Sequence, residues 1–196
     1  MNLKRVCVFC GSSAGDNPEY ARAARRLGAC LARRNLGLVY GGGKVGLMGQ
    51  IAGAVMEHGG EVTGVIPRWL MEKELALTTI TDLRVVDTMH ERKVLMADLA
   101  DGFVALPGGV GTLEEFFEIW TWGQLGLHAK PVGVLNVEGY FTGLLGFLDH
   151  MEDERFIAGV HRRMVIVDDD EDRLLDRMAR YEPPVGDKAR WALEKR

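Results

Sequence analysis

The residues best suited to chemistry lie in a glycine-rich turn that runs from Leu106 to Glu115 with the sequence LPGGVGTLEE. Its glycines let backbone N–H groups converge on one point, because no Cβ atoms obstruct them. The turn leads into a predicted helix, whose N-terminus carries partial positive charge and favours an anion. We therefore predict a phosphate-binding turn formed by Gly108, Gly109, Val110, Gly111 and Thr112.

The same turn also allows a purely structural interpretation. Thr112 and Glu115 form a Thr-x-x-Glu pattern, which is typical of a capping box. Glu115 would be stabilised by the helix dipole wherever its side chain points, and Glu114 and Glu118 are alternative carboxylates. A carboxylate beside a phosphate pocket is nevertheless what cleavage of a sugar–base bond requires, because it activates water or stabilises an oxocarbenium-like transition state. The turn is not a Walker loop, since no Gly-Lys-Ser/Thr follows it.

A second segment with chemical potential runs from Asp87 to Lys93, after a predicted strand and into a predicted helix. Arg92 and Lys93 oppose the helix macrodipole there, which costs roughly 0.3–1 kcal/mol for each exposed cation. An anionic ligand would offset that cost, and so would an ion pair with Glu91 or another acid. The planar guanidinium suits a phosphate or a purine leaving group. We predict a ligand contact for Arg92, with a solvated ion pair as the alternative.

Three further patterns resemble known site types less well. Gly41 to Gly46 satisfies G-x-G-x-x-G, but the acid about 20 positions later, Glu61, begins the next strand and does not end it, which argues against a dinucleotide site. We favour close packing of this segment or a part in a mononucleotide pocket. Cys7 and Cys10 form a C-x-x-C within a predicted strand, where the two face opposite sides, so we expect both in the core. The five histidines show no metal-ligand spacing. We predict neither a metal nor another cofactor.

Short apolar strands alternate with helices along the chain, which predicts an α/β fold: a Rossmann-like doubly wound parallel sheet with helices on both faces. Ligands of such sheets bind outside the carboxyl ends of the strands. The helix after the glycine turn is predicted over Leu113 to Leu125, and the stretch from Arg68 to Thr81 stays ambiguous. We expect one domain over 1–181 and a tail over 182–196, for which a helix is one option.

Composition narrows the class of protein. The 196 residues are 47% hydrophobic and carry a net charge of −4, which fits a packed globular protein and opposes binding of nucleic acid. Three cysteines suggest a reducing compartment, and no apolar stretch is long enough to span a membrane. We therefore expect a cytoplasmic protein without a membrane partner.

Several motifs, in order, resemble one known family. The segments GGGKVGLMG (41–49), MHERK (89–93) and PGGVGTLEE (107–115) are similar to the signatures of the Lonely Guy (LOG) proteins, and TWGQLG (121–126) and KPVG (130–133) are also typical of them. That family consists of cytokinin riboside 5′-monophosphate phosphoribohydrolases. The resemblance covers roughly Val6 to Tyr181. The label lysine decarboxylase has also been used for such proteins, but no lysine of the sequence is marked as a Schiff-base site.

The resemblance implies a Rossmann-like enzyme that hydrolyses the N-glycosidic bond of adenine-type nucleoside 5′-monophosphates, such as cytokinin precursors or AMP, to free base and ribose 5-phosphate. By position, Arg92 and Glu115 are implied as the catalytic pair. Family members are commonly homodimers with the site near the subunit contact. The implied substrate-binding residues are Gly108, Gly109, Val110, Gly111, Thr112, Leu113, Glu114 and Lys93, with Thr121 and Glu74 as weaker assignments.

Two other functions stay open at this point. The same fold could serve a non-enzymatic carrier of a nucleotide or cofactor, because fold alone does not fix activity. An NAD-dependent oxidoreductase is the third hypothesis, and it requires a carboxylate at the correct strand end.

Overall fold

The computed structural model describes residues 3–73 and 75–184. Strands and helices alternate through most of the chain. The strands are β1 (Arg5–Phe9), β2 (Gly37–Tyr40), β3 (Val62–Pro67), β4 (Asp82–Val86), β5 (Gly102–Ala105), β6 (Val132–Leu135) and β7 (Val165–Asp168). The α-helices are α1 (Pro18–Arg33), α2 (Gly46–Glu57), α3 (Arg68–Met71), α4 (Met89–Leu99), α5 (Val110–Gln124), α6 (Thr142–Asp153), α7 (Gly159–Arg162) and α8 (Glu171–Ala179), and a 3-10 turn covers Val137–Gly139.

All seven strands form one parallel sheet in the order β4-β3-β2-β1-β5-β6-β7. Strand β1 lies in the centre, with Val8 paired with Tyr40 of β2 on one side and with Val104 of β5 on the other. The chain builds outward from β1 to β4 and then returns to place β5 on the other side of β1. That reversal between β1 and β5 is the switch point at which doubly wound sheets bind ligands.

The core consists of two apolar layers, one on each face of the sheet. One layer packs α1, α2 and α8 against the sheet, with Leu27, Ile51 and Leu174 fully buried. The other packs α4, α5 and α6 against the opposite face, with Met96 and Phe116 among its buried residues. Because both faces are covered, the inner strands are apolar at nearly every position, as the sequence predicted for a parallel sheet.

The predicted fold class is confirmed, and most predicted elements are present. The ambiguous stretch from Arg68 to Thr81 contains α3 and a single antiparallel bridge between Gly43 and Ala76. Glu74 lies outside the described residues, as does the predicted tail from 185 to 196. Among the described residues, no helix is both long and apolar enough to cross a membrane.

Candidate active site

Three glycine loops meet at the carboxyl end of the central strands. The amide of Gly11, after β1, donates to the carbonyl of Pro107, after β5, at 3.0 Å. The amide of Leu47 in α2 donates to Gly11 at 3.0 Å, which brings in the loop after β2. Gly46 has a φ of +59° and lies against the backbone of Ser12, where a Cβ atom would clash. The floor of the site is therefore backbone packed on backbone.

The predicted start of the helix after the phosphate turn is wrong by one turn. Helix α5 begins at Val110 and not at Leu113, with Gly109 as its cap. The predicted capping box is wrong as well, because Thr112 is already inside the first turn of the helix and Gly109 offers no side chain as a cap. Three glycines allow the chain to enter the helix earlier than the Thr-x-x-Glu pattern suggests. The opening amides of α5 lack partners within the helix.

Thr112 packs against the phosphate turn at Gly108. Its side chain is buried, and its Oγ1 occupies the position that a Cβ atom of Gly108 would need. A Cβ atom of Gly108 would also approach the amide of Gly11 to 2.8 Å. Gly108 is therefore required for the loops after β1 and β5 to close on the first turn of α5.

Arg92, on α4, is the buried cation of the site. Its Nε donates to the backbone carbonyl of Val65 at 3.1 Å, and its Nη1 donates to Oε1 of Glu115 at 2.6 Å. Nη2 lies over Gly41, so close that a Cβ atom there would collide with it. Only 8% of the residue is exposed. The sequence-based alternative of a solvated ion pair is therefore wrong, because the ion pair is buried.

Glu115 is the matching acid, and its environment changes its proton affinity. Burial raises the pKa of its carboxyl above the ordinary value, although the positive charge of Arg92 and the hydrogen bond from it act in the opposite direction. A carboxylate with a raised pKa next to a cleft is a recognised feature of general acids and bases.

Lys93 faces a different set of partners from Arg92. Its Nζ lies 2.5 Å from Glu114 and 3.0 Å from Glu118, both on α5. Partial burial alone would lower the pKa of this lysine, but the hydrogen bonds to Glu114 and Glu118 raise it. Lys93 thus ties α4 to α5 in the structure, alongside the Arg92–Glu115 pair.

A cleft of about 330 Å³ gathers many of the predicted residues. Of the residues predicted to bind or react, Leu113, Lys93 and Thr121 do not line it, and Gly108 instead lines a neighbouring cleft of about 270 Å³ together with Tyr20 and Tyr140. The predicted residues that line the larger cleft are Gly109, Val110, Gly111, Thr112, Glu114, Arg92 and Glu115.

The sequence analysis missed part of the lining. Met48 and Met89 bring apolar surface into the cleft, and Ser12 also lines it. Gly41 lines it as well, which agrees with a part of the segment from Gly41 to Gly46 in a mononucleotide pocket. The family-like segments contained Met48 and Met89, but the position of a methionine on a helix does not say whether it faces the core or a cleft. Tyr140 follows β6, so the rule that ligands bind at the carboxyl ends of strands could have singled it out.

The glycine pattern after β2 and the cysteine pair behave as predicted. Glu61 lies at the amino end of β3, near Lys4 and Arg5, and therefore at the wrong edge for a ribose in the glycine loop after β2. Cys7 and Cys10 are free and buried, and burial raises the pKa of both thiols. Across residues 3–73 and 75–184, no three His, Cys, Asp or Glu side chains are grouped to hold a metal ion.

Comparisons with known proteins agree with this geometry. A family model described as "possible lysine decarboxylase" matches residues 48–178. The cytokinin riboside 5′-monophosphate phosphoribohydrolase LOG7 of Arabidopsis thaliana is 51% identical over 92% of this chain and 83% of its own. LOG1 of the same plant, which has the same enzyme name, is 48% identical over 98% of this chain and 92% of its own.

Solved structures support the fold. The molybdenum cofactor binding protein of Rippkaea orientalis has a TM-score of 0.68 at 19% identity, with 92% of this chain and 98% of that chain covered. The molybdenum cofactor carrier protein of Chlamydomonas reinhardtii has a TM-score of 0.69 at 18% identity, with 92% and 100% covered. At this identity the likeness concerns the fold alone.

The two family descriptions differ in the chemistry that they name. A lysine that forms a Schiff base must lose its proton, which requires a lowered pKa. Lys93, beside the buried arginine, has a raised pKa and two carboxylate partners. The relatives of about 50% identity are named as phosphoribohydrolases over nearly the whole chain. The chain belongs to the Lonely Guy (LOG) family of cytokinin riboside 5′-monophosphate phosphoribohydrolases.

Proposed function

We propose that this protein hydrolyses the N-glycosidic bond of adenine-type nucleoside 5′-monophosphates and releases the free base and ribose 5-phosphate. Cytokinin riboside 5′-monophosphates are the favoured substrates, with AMP as a further one. The observation that carries the proposal is the buried Arg92–Glu115 pair, 2.6 Å apart, in the same cleft as the N-terminus of α5. The names of the relatives of about 50% identity support the same activity.

The cleft suits a sugar phosphate. Helix α5 has 15 residues and begins with Val110, Gly111 and Thr112, with Gly109 as its cap, so the 5′-phosphate would meet unpaired amide donors and the positive end of the dipole. A volume of about 330 Å³ lies within the range of small-molecule sites. With the phosphate there, the ribose would extend towards Glu115.

The chemistry follows from the two charges. Arg92 engages Oε1 of Glu115, which leaves Oε2 to accept a proton from water. The water oxygen bonds to C1′ of the ribose, the C1′–N9 bond breaks, and its electrons leave with the base, which then takes up a proton. Glu115 in its charged form would also stabilise positive charge on the ribose. Arg92 orients Glu115 and, through its positive charge, would favour departure of the electron-rich base.

Other residues enter the proposal with weaker support. Glu114 lines the cleft, whereas Lys93 is engaged by Glu114 and Glu118 and would have to share its Nζ with a substrate. Leu113 and Thr121 lie on α5 outside the lining. We retain these residues and Glu74 as substrate-binding proposals that rest on the family resemblance.

The test is a substrate panel with chromatographic detection of the free base. Isopentenyladenosine 5′-monophosphate and AMP should release base, and the matching nucleosides should not, because they lack the phosphate. Glu115→Gln should lower kcat by about 10²–10⁴-fold, the range of general acid–base catalysis. Glu57→Gln is the matched control, since Glu57 is an exposed carboxylate at the end of α2 that pairs with Arg25 of α1.

Two outcomes would contradict the proposal. Full activity of a folded Glu115→Gln variant would remove Glu115 from the mechanism. Binding of monophosphates by the wild-type protein without release of any base would favour a carrier on this fold.

The proposal extends to assembly and location. We infer a homodimer, because the family resemblance implies one and a shallow groove between the end of β4 and α4 is open to a partner. Its lining residues are Val86, His90, Glu91, Val94, Leu95 and Asp98. We infer a cytoplasmic location, which the three free, buried cysteines support.

We also infer that residues 1–181 form one domain, because α8 packs against α1 and completes the core of the single sheet.

A further inference from the structure

A tyrosine outside the family-like segments touches the phosphate turn. The hydroxyl of Tyr140 donates to the backbone carbonyl of Gly108 at 2.7 Å. Its ring is held edge-on between Tyr20, at 5.4 Å between centroids, and Phe141, at 4.9 Å. The chain around Tyr140 is also fixed, because the side chain of Asn136 accepts from the amide of Phe141 at 2.7 Å. The hydroxyl is therefore presented from a rigid support.

The hydrogen bond has a consequence for the next amide. In a trans peptide, the C=O of one residue and the N–H of the next point in opposite directions, and the described residues contain no cis peptide bond. The carbonyl of Gly108 points to the smaller cleft, where Tyr140 lies, so the N–H of Gly109 points away from it. Gly109 borders both clefts, and Val110 borders only the larger one.

The two ends of that peptide differ in their packing. Gly108 is packed against Gly11 and Thr112, whereas a Cβ atom at Gly109 would meet nothing within 4 Å, and the carbonyl of Gly109 accepts from the amide of Leu113 at 3.2 Å. Gly109 is also the cap of α5 and offers no side chain to the helix. The neighbouring carbonyl of Pro107 is held separately, by the amide of Gly11.

We propose that Tyr140 is a positioning residue for substrate phosphate: its hydroxyl fixes the Gly108–Gly109 peptide so that the amide of Gly109 faces the 5′-phosphate in the larger cleft. This inference rests on the proposed function for the identity of the anion. The contribution is to ground-state binding of phosphate, because the phosphate does not change in the reaction and the tyrosine lies on the far side of the peptide from it.

The test is Tyr140→Phe, which removes the hydroxyl and keeps the ring between Tyr20 and Phe141. The KM for the monophosphate and the dissociation constant of ribose 5-phosphate should both rise about three- to tenfold, the range expected for the net contribution of one hydrogen bond. The kcat should stay within about twofold, and inhibition by free adenine, which has no phosphate, should be unchanged. Tyr181→Phe is the control, since Tyr181 packs against the core layer that contains α8 and lines neither cleft.

Unchanged affinity for ribose 5-phosphate in Tyr140→Phe would overturn the inference. So would a parallel loss of kcat, adenine inhibition and melting temperature, because that pattern reports general damage to the fold. The two proposals can fail separately. If the wild-type protein releases no base, calorimetric titration with ribose 5-phosphate and inorganic phosphate still compares the variant with the wild type.

Discussion

Arg92 is bound on three sides by groups from three parts of the chain: a carbonyl of β3, a carboxylate of α5 and the bare backbone of Gly41 after β2. Each contact uses a different part of the guanidinium group, so the side chain has a single orientation. A buried ion pair of this kind is weak evidence for stability, because desolvation offsets the attraction. Its value here is geometric, since it fixes which oxygen of Glu115 remains for the substrate.

The raised pKa of Glu115 predicts the pH dependence of the reaction. A base acts in its deprotonated form, so kcat/KM should fall as the pH falls through the raised pKa, and the acidic limb should lie above the usual glutamate value of about 4.3. Because Arg92 lowers this pKa, Arg92→Met should move the limb to still higher pH in addition to reducing the rate.

The measurement is kcat/KM against pH for the wild type, Arg92→Met and Arg25→Met, the last removing an exposed arginine on α1 that pairs with Glu57. Carbon NMR of the glutamate carboxyls gives the pKa independently of turnover. A limb at or below the ordinary glutamate value would show that the charge of Arg92 outweighs burial. The pKa of Glu115 would then not be raised, which would contradict the prediction.

Gly41 provides a second prediction for single residues. Gly41→Ala would place a methyl group on Nη2 of Arg92 and push the guanidinium away from Glu115. A displacement of about 1 Å in a catalytic arrangement can cost about a hundredfold in rate, so kcat should fall by that order while the protein stays folded. Gly53→Ala on α2 is the control, because a methyl group there meets nothing within 4 Å. Equal kcat for the two variants would contradict the proposal that the absence of a side chain at Gly41 allows Arg92 to reach Glu115.

The sequence predicted the chemistry of these residues better than their contacts. Glycines at a strand end and an arginine at a helix start pointed to an anion site without any coordinates. The pairing of Arg92 with Glu115 across 23 positions could not be derived from spacing, because it depends on α4 and α5 lying side by side on one face of the sheet.

Helices α4 and α5 carry the catalytic pair. Both have a Thr-x-x-Glu pattern near their starts, but the pattern forms a capping box in only one of them. Thr88 and Glu91 form a complete capping box at the start of α4. Thr112 and Glu115 show the same spacing in α5 and form none, because Thr112 is buried against Gly108 and Glu115 turns to Arg92. Local capping and tertiary contacts compete for the same side chains, and the sequence alone does not say which of them prevails.

Lys93 should help to hold helix α4 against helix α5. Lys93→Met keeps much of the aliphatic stem but removes both ion pairs with α5, of which Glu118 is the more buried partner. The pairs are partly buried, so we expect unfolding to become easier by about 1–3 kcal/mol, between the values for exposed and buried pairs. The kcat should also fall, because Arg92 is the next residue on α4.

Urea denaturation and steady-state kinetics of Lys93→Met measure both effects, with Arg25→Met as an exposed-pair control. A variant with unchanged stability but a strongly raised KM would contradict the structural role. That result would instead favour the direct substrate contact that the family resemblance implies.

At the scale of the whole molecule, alternation of strands and helices was enough to predict a doubly wound sheet. It was not enough to predict the strand order, because every strand is short and apolar and would fit several positions. The order matters, since placing β5 beside β1 is what brings Gly108 against Gly11. The site is therefore a property of the complete sheet, and no single motif contains it.

The assembly prediction also belongs to this scale. Most residues of the groove that includes Val94 and Leu95 lie on α4, the helix that carries Arg92, so a partner there would lie near the catalytic pair. Light scattering after size exclusion should give twice the chain mass of 21.7 kDa. Val94→Glu would bury a charge against apolar side chains of the partner and should yield a folded single chain with a lower melting temperature, because the partner no longer stabilises the native state.

Phe147→Glu tests whether the dimer interface lies on α6 and not on the α4 groove. Phe147 is 58% exposed on α6, so its substitution should leave both the fold and the dimer intact. Dissociation by Phe147→Glu and not by Val94→Glu would move the interface to α6, and a monomeric wild-type protein would remove it. If the α4 face is correct, Val94→Glu should also lower kcat, because helix α4 would lose the contact that restricts it and Arg92 would be held less firmly against Glu115.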